Sequence, residues 1–338
     1  MEMCASTKTP AVYAPGPGAS NRQHVHAQRF TLCAAFIHLF LTGTVRPLSM
    51  KNTPEYYSQQ YNALGGIPER AHILTRWRKD SDHVRRTCAA LRDLPYGESP
   101  GERLDFYPAN RSDAPLLVFI HGGWWRSMDK SDFAFIVPAY TRAGFNVALT
   151  NYTLAPAASL AEIVQQQLRA LAWLYRNADK YDFDRERIVV SGHSAGGHLS
   201  AMMMAAHWPL FGEQLPANLI KGGVLISGLY DLDSVRMAEY VNVDLQLMPE
   251  DVDLVSPAWM PQSHPTPFIT AVGALESDEF KRQNALIAQQ WKSSHRADVA
   301  LPDVNHLTIC DALATPGNAL FEATVELLSK LEKTASRE

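Results

Sequence analysis

The residues best placed to do chemistry are Gly192-His193-Ser194-Ala195-Gly196, a G-x-S-x-G pentapeptide directly after Arg187-Ile188-Val189-Val190-Ser191. A β-branched apolar run, a glycine-flanked serine and a helix-compatible segment from Gly197 to Ala206 give the order strand, tight turn, helix. In that order the motif is a nucleophile elbow. The serine sits on a strained turn that lifts its Oγ out of the sheet, and a side chain at either glycine would strike the neighbouring strand or helix. Ser194 is therefore the candidate nucleophile for attack on a carbonyl. The N–H of Ala195 is a candidate donor to the oxyanion that such an attack creates.

A second motif lies upstream, where the uninterrupted apolar run Leu116–Ile120 is followed by His121-Gly122-Gly123-Trp124-Trp125. Two glycines after a central strand let the chain turn so that N–H groups, with no side chain in the way, face the reacting carbonyl. Gly122 and Gly123 are the candidate oxyanion donors here, and such donors typically contribute roughly 3 kcal/mol each to a transition state. Trp124 and Trp125 are candidate contacts for bound substrate.

A serine nucleophile on this kind of elbow needs an acid and then a histidine further along the chain. Of the twelve histidines, His306 stands where the base belongs, in Leu301-Pro302-Asp303-Val304-Asn305-His306, after a late strand and before the last helices. His264, in a proline-rich linker, and His295, at a charged helix end, rank below it. The acid should follow the strand Pro267–Gly273, where Ala274-Leu275-Glu276-Ser277-Asp278 offers both Glu276 and Asp278. Asp231, after the strand Gly223–Ser227, is a third option better read as a helix N-cap.

On H-G-G-W-W (121–125), G-H-S-A-G-G-H-L (192–199), S-G-L-Y-D-L (227–232), E-S-D-E-F-K-R-Q (276–283) and the late His306, the chain resembles the serine-dependent kynurenine formamidases (arylformamidases). It also resembles their bacterial esterase relatives in the hormone-sensitive-lipase-like group of α/β-hydrolases, from about Tyr56 to about Leu328. The resemblance implies the α/β-hydrolase fold, a small N-terminal helical cap packed over the catalytic mouth, and Glu276 as the triad acid. Many members carry Asp at that acid position and His-Phe at the base, where this chain has Glu276 and His306-Leu307.

Composition agrees with a globular enzyme: 46% hydrophobic, 20% charged, net charge −4. That balance gives no reason to expect nucleic acid or an anionic membrane as partner. Four scattered cysteines (Cys4, Cys33, Cys88, Cys310) show no metal-ligand spacing and suit a reducing, cytoplasmic compartment. Neither H-E-x-x-H nor a dinucleotide or phosphate fingerprint occurs, so the expectation is chemistry without metal or cofactor.

Residues 1–49 read as foreign to the rest. The apolar run Phe30–Leu41 is too short for a transmembrane helix, which needs about 20 residues. Its polar lead is long for a signal peptide, and Leu41-Thr42-Gly43-Thr44 is a poor cleavage site. The expectation is a mis-assigned start, with translation beginning at Met50, in preference to a signal peptide. Residues 50–334 then form a single domain with the cap at about 54–100. An amphipathic helix is predicted over Glu69–Leu91, with Ile73, Trp77, Val84, Cys88 and Leu91 on one face. Tyr56, Tyr57 and Tyr61 before it either line the pocket or pack the cap.

From Leu104 onward strands alternate with helices, which implies a mostly parallel central sheet covered by helices on both faces. The sequence thus points to a serine hydrolase that removes a small acyl group from a small-molecule formamide or ester. The leading substrate is an N-formyl aryl amide such as N-formyl-kynurenine, the alternative a carboxylesterase for short-chain acyl or aryl esters. It is compatible with a homo-oligomer.

Overall fold

A computed structural model of the protein describes residues 53–331; the expectations for residues 1–49 lie outside the described residues. Eight strands form one sheet in the order β1-β2-β4-β3-β5-β6-β7-β8. They are β1 (Leu91–Pro95), β2 (Arg103–Tyr107), β3 (Ala114–Ile120), β4 (Asn146–Thr150), β5 (Phe183–His193), β6 (Gly222–Ile226), β7 (Phe268–Gly273) and β8 (His295–Leu301). From β4 to β8 all neighbours pair in parallel. At one edge β1 pairs antiparallel to β2, and β2 pairs antiparallel to β4.

Every residue of β3 is buried, as a strand covered on both faces requires. Its side chains alternate between two hydrophobic layers. Leu116, Val118 and Ile120 enter the layer formed with the helices Leu160–Arg176 and Ala195–Ala205. Leu117 and Phe119 enter the opposite layer, which holds Trp77, Phe133, Tyr140, Ile309 and Phe321. The parallel strands place their C-terminal ends along one edge of the sheet, where open α/β sheets build their sites.

The segment predicted as a cap divides into parts with different positions. The helix Arg70–Thr87 buries Ile73, Trp77 and Val84 against the second layer, with Trp77 stacked 5.1 Å from Phe135 and its Nε1 donating to Asp311 (2.8 Å). It ends earlier than the periodicity predicts: Cys88 is already extended, and Leu91, 46% exposed, opens the edge strand β1. Sheet pairing with β2 takes over the residues that would have continued the helix. The shorter helix Pro54–Gln60 is capped by Thr53, whose hydroxyl accepts from Tyr56 N (3.3 Å). It delivers Tyr61 to the aromatic cluster described below.

Candidate active site

β5 runs into the helix Ala195–Ala205 through one residue, Ser194, whose backbone is left-handed at φ +57° and ψ −118°. A serine there is strained, and the surroundings enforce it. Ser194 N donates to Ile226 O at 2.8 Å on the neighbouring strand, and His198 N to Ser194 O at 3.1 Å. A Cβ on Gly192 would lie 2.2 Å from Gly196 O, and one on Gly196 only 1.9 Å from Ile120 O. The elbow fits only because both flanking positions lack side chains. Ala195 opens the helix, so its N–H is one of the donors left without an intrahelical partner.

The H-G-G loop comes back against this serine. A Cβ on Gly122 would stand 2.8 Å from His193 O and 3.2 Å from Ser194 Cβ, so the backbone passes at contact distance from the elbow. Three residues in a row are then left-handed: Gly123 (φ +103°), Trp124 (+54°) and Trp125 (+55°). The turn is closed by Arg126 N and Ser127 N, both donating to Gly123 O (3.1 and 3.0 Å). Beneath it His121 is fully buried, with Nδ1 2.8 Å from Gly122 O and Nε2 2.9 Å from Asn151 Oδ1. Its ring stacks on Tyr152 at 4.4 Å, and burial pushes its pKa down from the ordinary imidazole value.

The acid and the base come from adjacent loops. Ala274 N and Leu275 N donate to Leu301 O and Val304 O (3.0 and 3.1 Å), which ties the loop after β7 to the loop after β8. On the first, Glu276 presents Oε2 to His306 Nδ1 at 2.5 Å, with the carboxylate side chain fully buried. Its Oε1 accepts from Ser227 Oγ (2.6 Å) and Gly273 N (2.8 Å). On the second, Asn305 Oδ1 accepts from Leu307 N and Thr308 N (3.0 and 2.9 Å) and fixes the turn that carries His306. The imidazole lies between the rings of His193, next to Ser194, at 4.6 Å and Phe280 at 4.5 Å. Burial, with His306 alongside, holds the pKa of His193 well below the ordinary imidazole value, so it stays neutral.

The structure therefore joins Glu276, and not Asp278, to His306. Asp278 is an exposed first residue of the helix Asp278–Gln290. Asp231 does sit at a helix N-cap position, without a side-chain capping bond, and accepts from Trp259 Nε1 (3.3 Å) with Arg282 3.6 Å away. His295 belongs to β8 rather than a helix end and meets Thr270 Oγ1 at 3.0 Å.

The two tryptophans part company. Trp124 is half-buried and meets Tyr61, Phe280 and Tyr240 at 5.8, 6.3 and 6.4 Å. Trp125 is wholly buried and packs edge-on against His198 at 5.0 Å, so the expectation that it touches substrate is corrected: it is a core residue under the loop. Tyr61 is also buried; its hydroxyl bonds to Ser234 Oγ (2.6 Å), donates to Glu279 Oε2 (3.2 Å) and accepts from Gln283 Nε2 (2.9 Å). Phe280 and Tyr240 were not singled out as site residues from sequence. Phe280 lies inside E-F-K-R-Q, a motif that gave no role for its ring, and Tyr240 lies in a short helix with no motif at all.

A parallel sheet with helices on both faces, a serine on a left-handed strand-to-helix turn, and a carboxylate–imidazole pair on the following loops define an α/β-hydrolase, and the chain is a serine hydrolase of that class. The family described as BD-FAE matches residues 104–214. A kynurenine formamidase of Salmo salar is 28% identical over 293 residues, covering 84% of this chain and 96% of that protein. Among solved structures, a putative thioesterase from Silicibacter sp. tm1040 is 26% identical with a TM-score of 0.70, covering 80% of this chain and 98% of the other. An esterase of Pyrobaculum calidifontis, 19% identical with a TM-score of 0.59 over 82% of this chain and 96% of its own, shares the fold. Among the described residues no helix is long and apolar enough to cross a membrane.

Proposed function

We propose that this hydrolase removes a formyl or other small acyl group from an aryl amine or aryl alcohol, with N-formyl-kynurenine as the leading type of substrate. Ser194 attacks the acyl carbon as His306 takes its proton. Glu276 orients the imidazole through Nδ1 and stabilises its cation. The N–H groups of Gly122, Gly123 and Ala195 receive the oxyanion, and water, activated by the same histidine, releases the acyl-enzyme. In this reading the partners are small molecules and the compartment is cytoplasmic, supported by free Cys88 and Cys310.

One observation carries the substrate class. The leaving group takes its proton from His306, so it must emerge beside that imidazole. There the half-buried Trp124 packs on Phe280, a buried ring 4.5 Å from His306, so Trp124 is the aromatic face left for a substrate to meet. An aromatic amine fits such surroundings and is a better leaving group than an alkyl amine. The acyl side needs little room for a formyl group.

The test compares kcat/KM for N-formyl-kynurenine, p-nitrophenyl acetate and longer p-nitrophenyl esters, the quantity that reports transition-state discrimination. Deformylation together with acetate hydrolysis, falling sharply beyond about six acyl carbons, is expected. Ester turnover with no deformylation would favour a short-chain carboxylesterase, for which the same machinery suffices.

A further inference from the structure

Glu276 has two carboxylate oxygens with different surroundings. Oε2 meets His306 Nδ1, while Oε1 accepts two hydrogen bonds, from Gly273 N and from Ser227 Oγ. The Gly273 bond is local: Glu276 N also donates to Gly273 O (3.0 Å), so the turn from 273 to 276 is closed from both sides. The Ser227 bond is not local. It reaches across from the end of β6 to the end of β7, and at 2.6 Å it has the length of a hydroxyl bonded to an ionised acceptor.

Ser227 is an unusual place for a serine. It is completely buried, and its backbone is left-handed at φ +46°, a conformation that glycine would adopt without strain. Its N–H is held by Ala271 O on β7 at 2.8 Å, which fixes where the side chain projects. A side chain kept at a position that favours glycine, with its hydroxyl on the carboxylate, suggests a task for that hydroxyl.

We infer that Ser227 is a positioning residue that holds Glu276 ionised and aimed at His306, an inference that rests on the acid–base assignment proposed above. The carboxylate side chain is fully buried, and a buried charge requires donors to remain ionised. With Oε1 occupied by two donors, the carboxylate cannot rotate away, and Oε2 stays in line with Nδ1. Glu is one methylene longer than Asp, and its Oε1 reaches both Gly273 N and Ser227 Oγ while Oε2 meets the imidazole. Ser227 touches neither substrate nor the reacting atoms, so it acts only through Glu276.

Removing the hydroxyl takes a donor from a buried carboxylate and makes it more basic. A carboxylate short of a donor holds the imidazolium more tightly, so the acid limb of the rate profile should move to higher pH. The other titratable groups around the pair do not obscure this change. Burial pushes His193 far down and Tyr230 and Cys310 up, which leaves all three neutral across the range in question.

The experiment uses the full chain with p-nitrophenyl acetate and compares Ser227→Ala, Glu276→Gln and the double variant across pH. Ser227→Ala is expected to lower kcat roughly ten- to a hundredfold, the range for a lost hydrogen bond to a charged group. KM should change little, and the acid limb of kcat/KM should move to higher pH. In the Glu276→Gln background the same change should add almost nothing, because the two residues act as one unit. Wild-type kcat with an unshifted acid limb in Ser227→Ala, beside a crippled Glu276→Gln, overturns the role of Ser227 alone. So does a loss that multiplies in full onto that of Glu276→Gln. A Glu276→Gln variant with wild-type kcat instead overturns the acid assignment beneath the inference. Ser227→Gly, which relieves the left-handed strain, must show the same three effects and covers the case in which the alanine variant does not fold.

Discussion

The two halves of the site are built by opposite means. On the acid–base side, side chains from separate loops find one another: Glu276 to His306, Ser227 to Glu276, and Asn305 to its own turn. On the oxyanion side the backbone does the arranging, over a floor of buried His121 and Trp125. Three consecutive left-handed residues, Gly123 to Trp125, follow a glycine that passes at contact distance from Ser194. One half depends on which functional groups are present, and the other on which are absent. Substitutions that swap a polar group should therefore act on the first half, and substitutions that merely add a methyl should act on the second.

The largest effect expected from this contrast is at Glu276. Glu276→Gln keeps the shape but presents the imidazole with the wrong partner, and kcat should fall by about 10⁴, measured in a variant whose melting temperature stays near that of the wild type. Adding one methyl on the other side comes next. In Gly122→Ala the new Cβ meets His193 O at 2.8 Å and Ser194 Cβ at 3.2 Å, so the loop must back away from the serine. The expected loss in kcat is about 10²–10³, the worth of a misplaced oxyanion donor. Wild-type turnover in Gly122→Ala would show that the loop geometry is not what holds the oxyanion.

Smaller effects separate binding from chemistry. Trp124→Ala should reduce kcat/KM for aryl substrates by roughly tenfold relative to alkyl esters of the same acyl group. An equal loss for both would remove Trp124 from the leaving-group side. Beneath the oxyanion loop, stability rather than rate should change with pH. His198 is buried, with its pKa pushed down to about 4 by burial, and His121 and His193 are depressed in the same direction. Each is neutral when folded and takes up a proton more readily when unfolded. Their contribution is therefore complete above the unfolded value near 6.5 and is lost as pH falls from there toward the depressed folded values. For His198 the loss is on the order of 3 kcal/mol by the lower end of that window. Urea midpoints at pH 7 and pH 5 should show the fall, and His198→Gln, which cannot be protonated, should make it shallower.

The contrast also explains what could be read from the sequence. The alternation of strands and helices, and the elbow with its flanking glycines, follow from local patterns. Backbone that must pass close to other backbone leaves glycines behind, so Gly122, Gly192 and Gly196 were visible as such. The choice of Glu276 over Asp278 was not fixed by spacing, because both lie in the same loop; it depends on a fold-back to Gly273 and on a serine from another strand. Nor could spacing tell Trp124 from Trp125. Two successive left-handed residues send neighbouring side chains in unrelated directions, one to the aromatic cluster and one into the core. The helix Arg70–Thr87 ended early for a similar reason: pairing of β1 with β2 is a long-range contact, and the apolar period of the helix carries no trace of it.

The most direct test of the account is covalent titration of the serine. A fluorophosphonate added to the full chain, followed by peptide mass spectrometry, should give one adduct, on Ser194. That adduct should be absent in Ser194→Ala and form far more slowly in Glu276→Gln, with both variants folded. An adduct on another residue, or labelling of Ser194→Ala at the wild-type rate, would contradict the assignment of Ser194 as the nucleophile driven by His306 and Glu276.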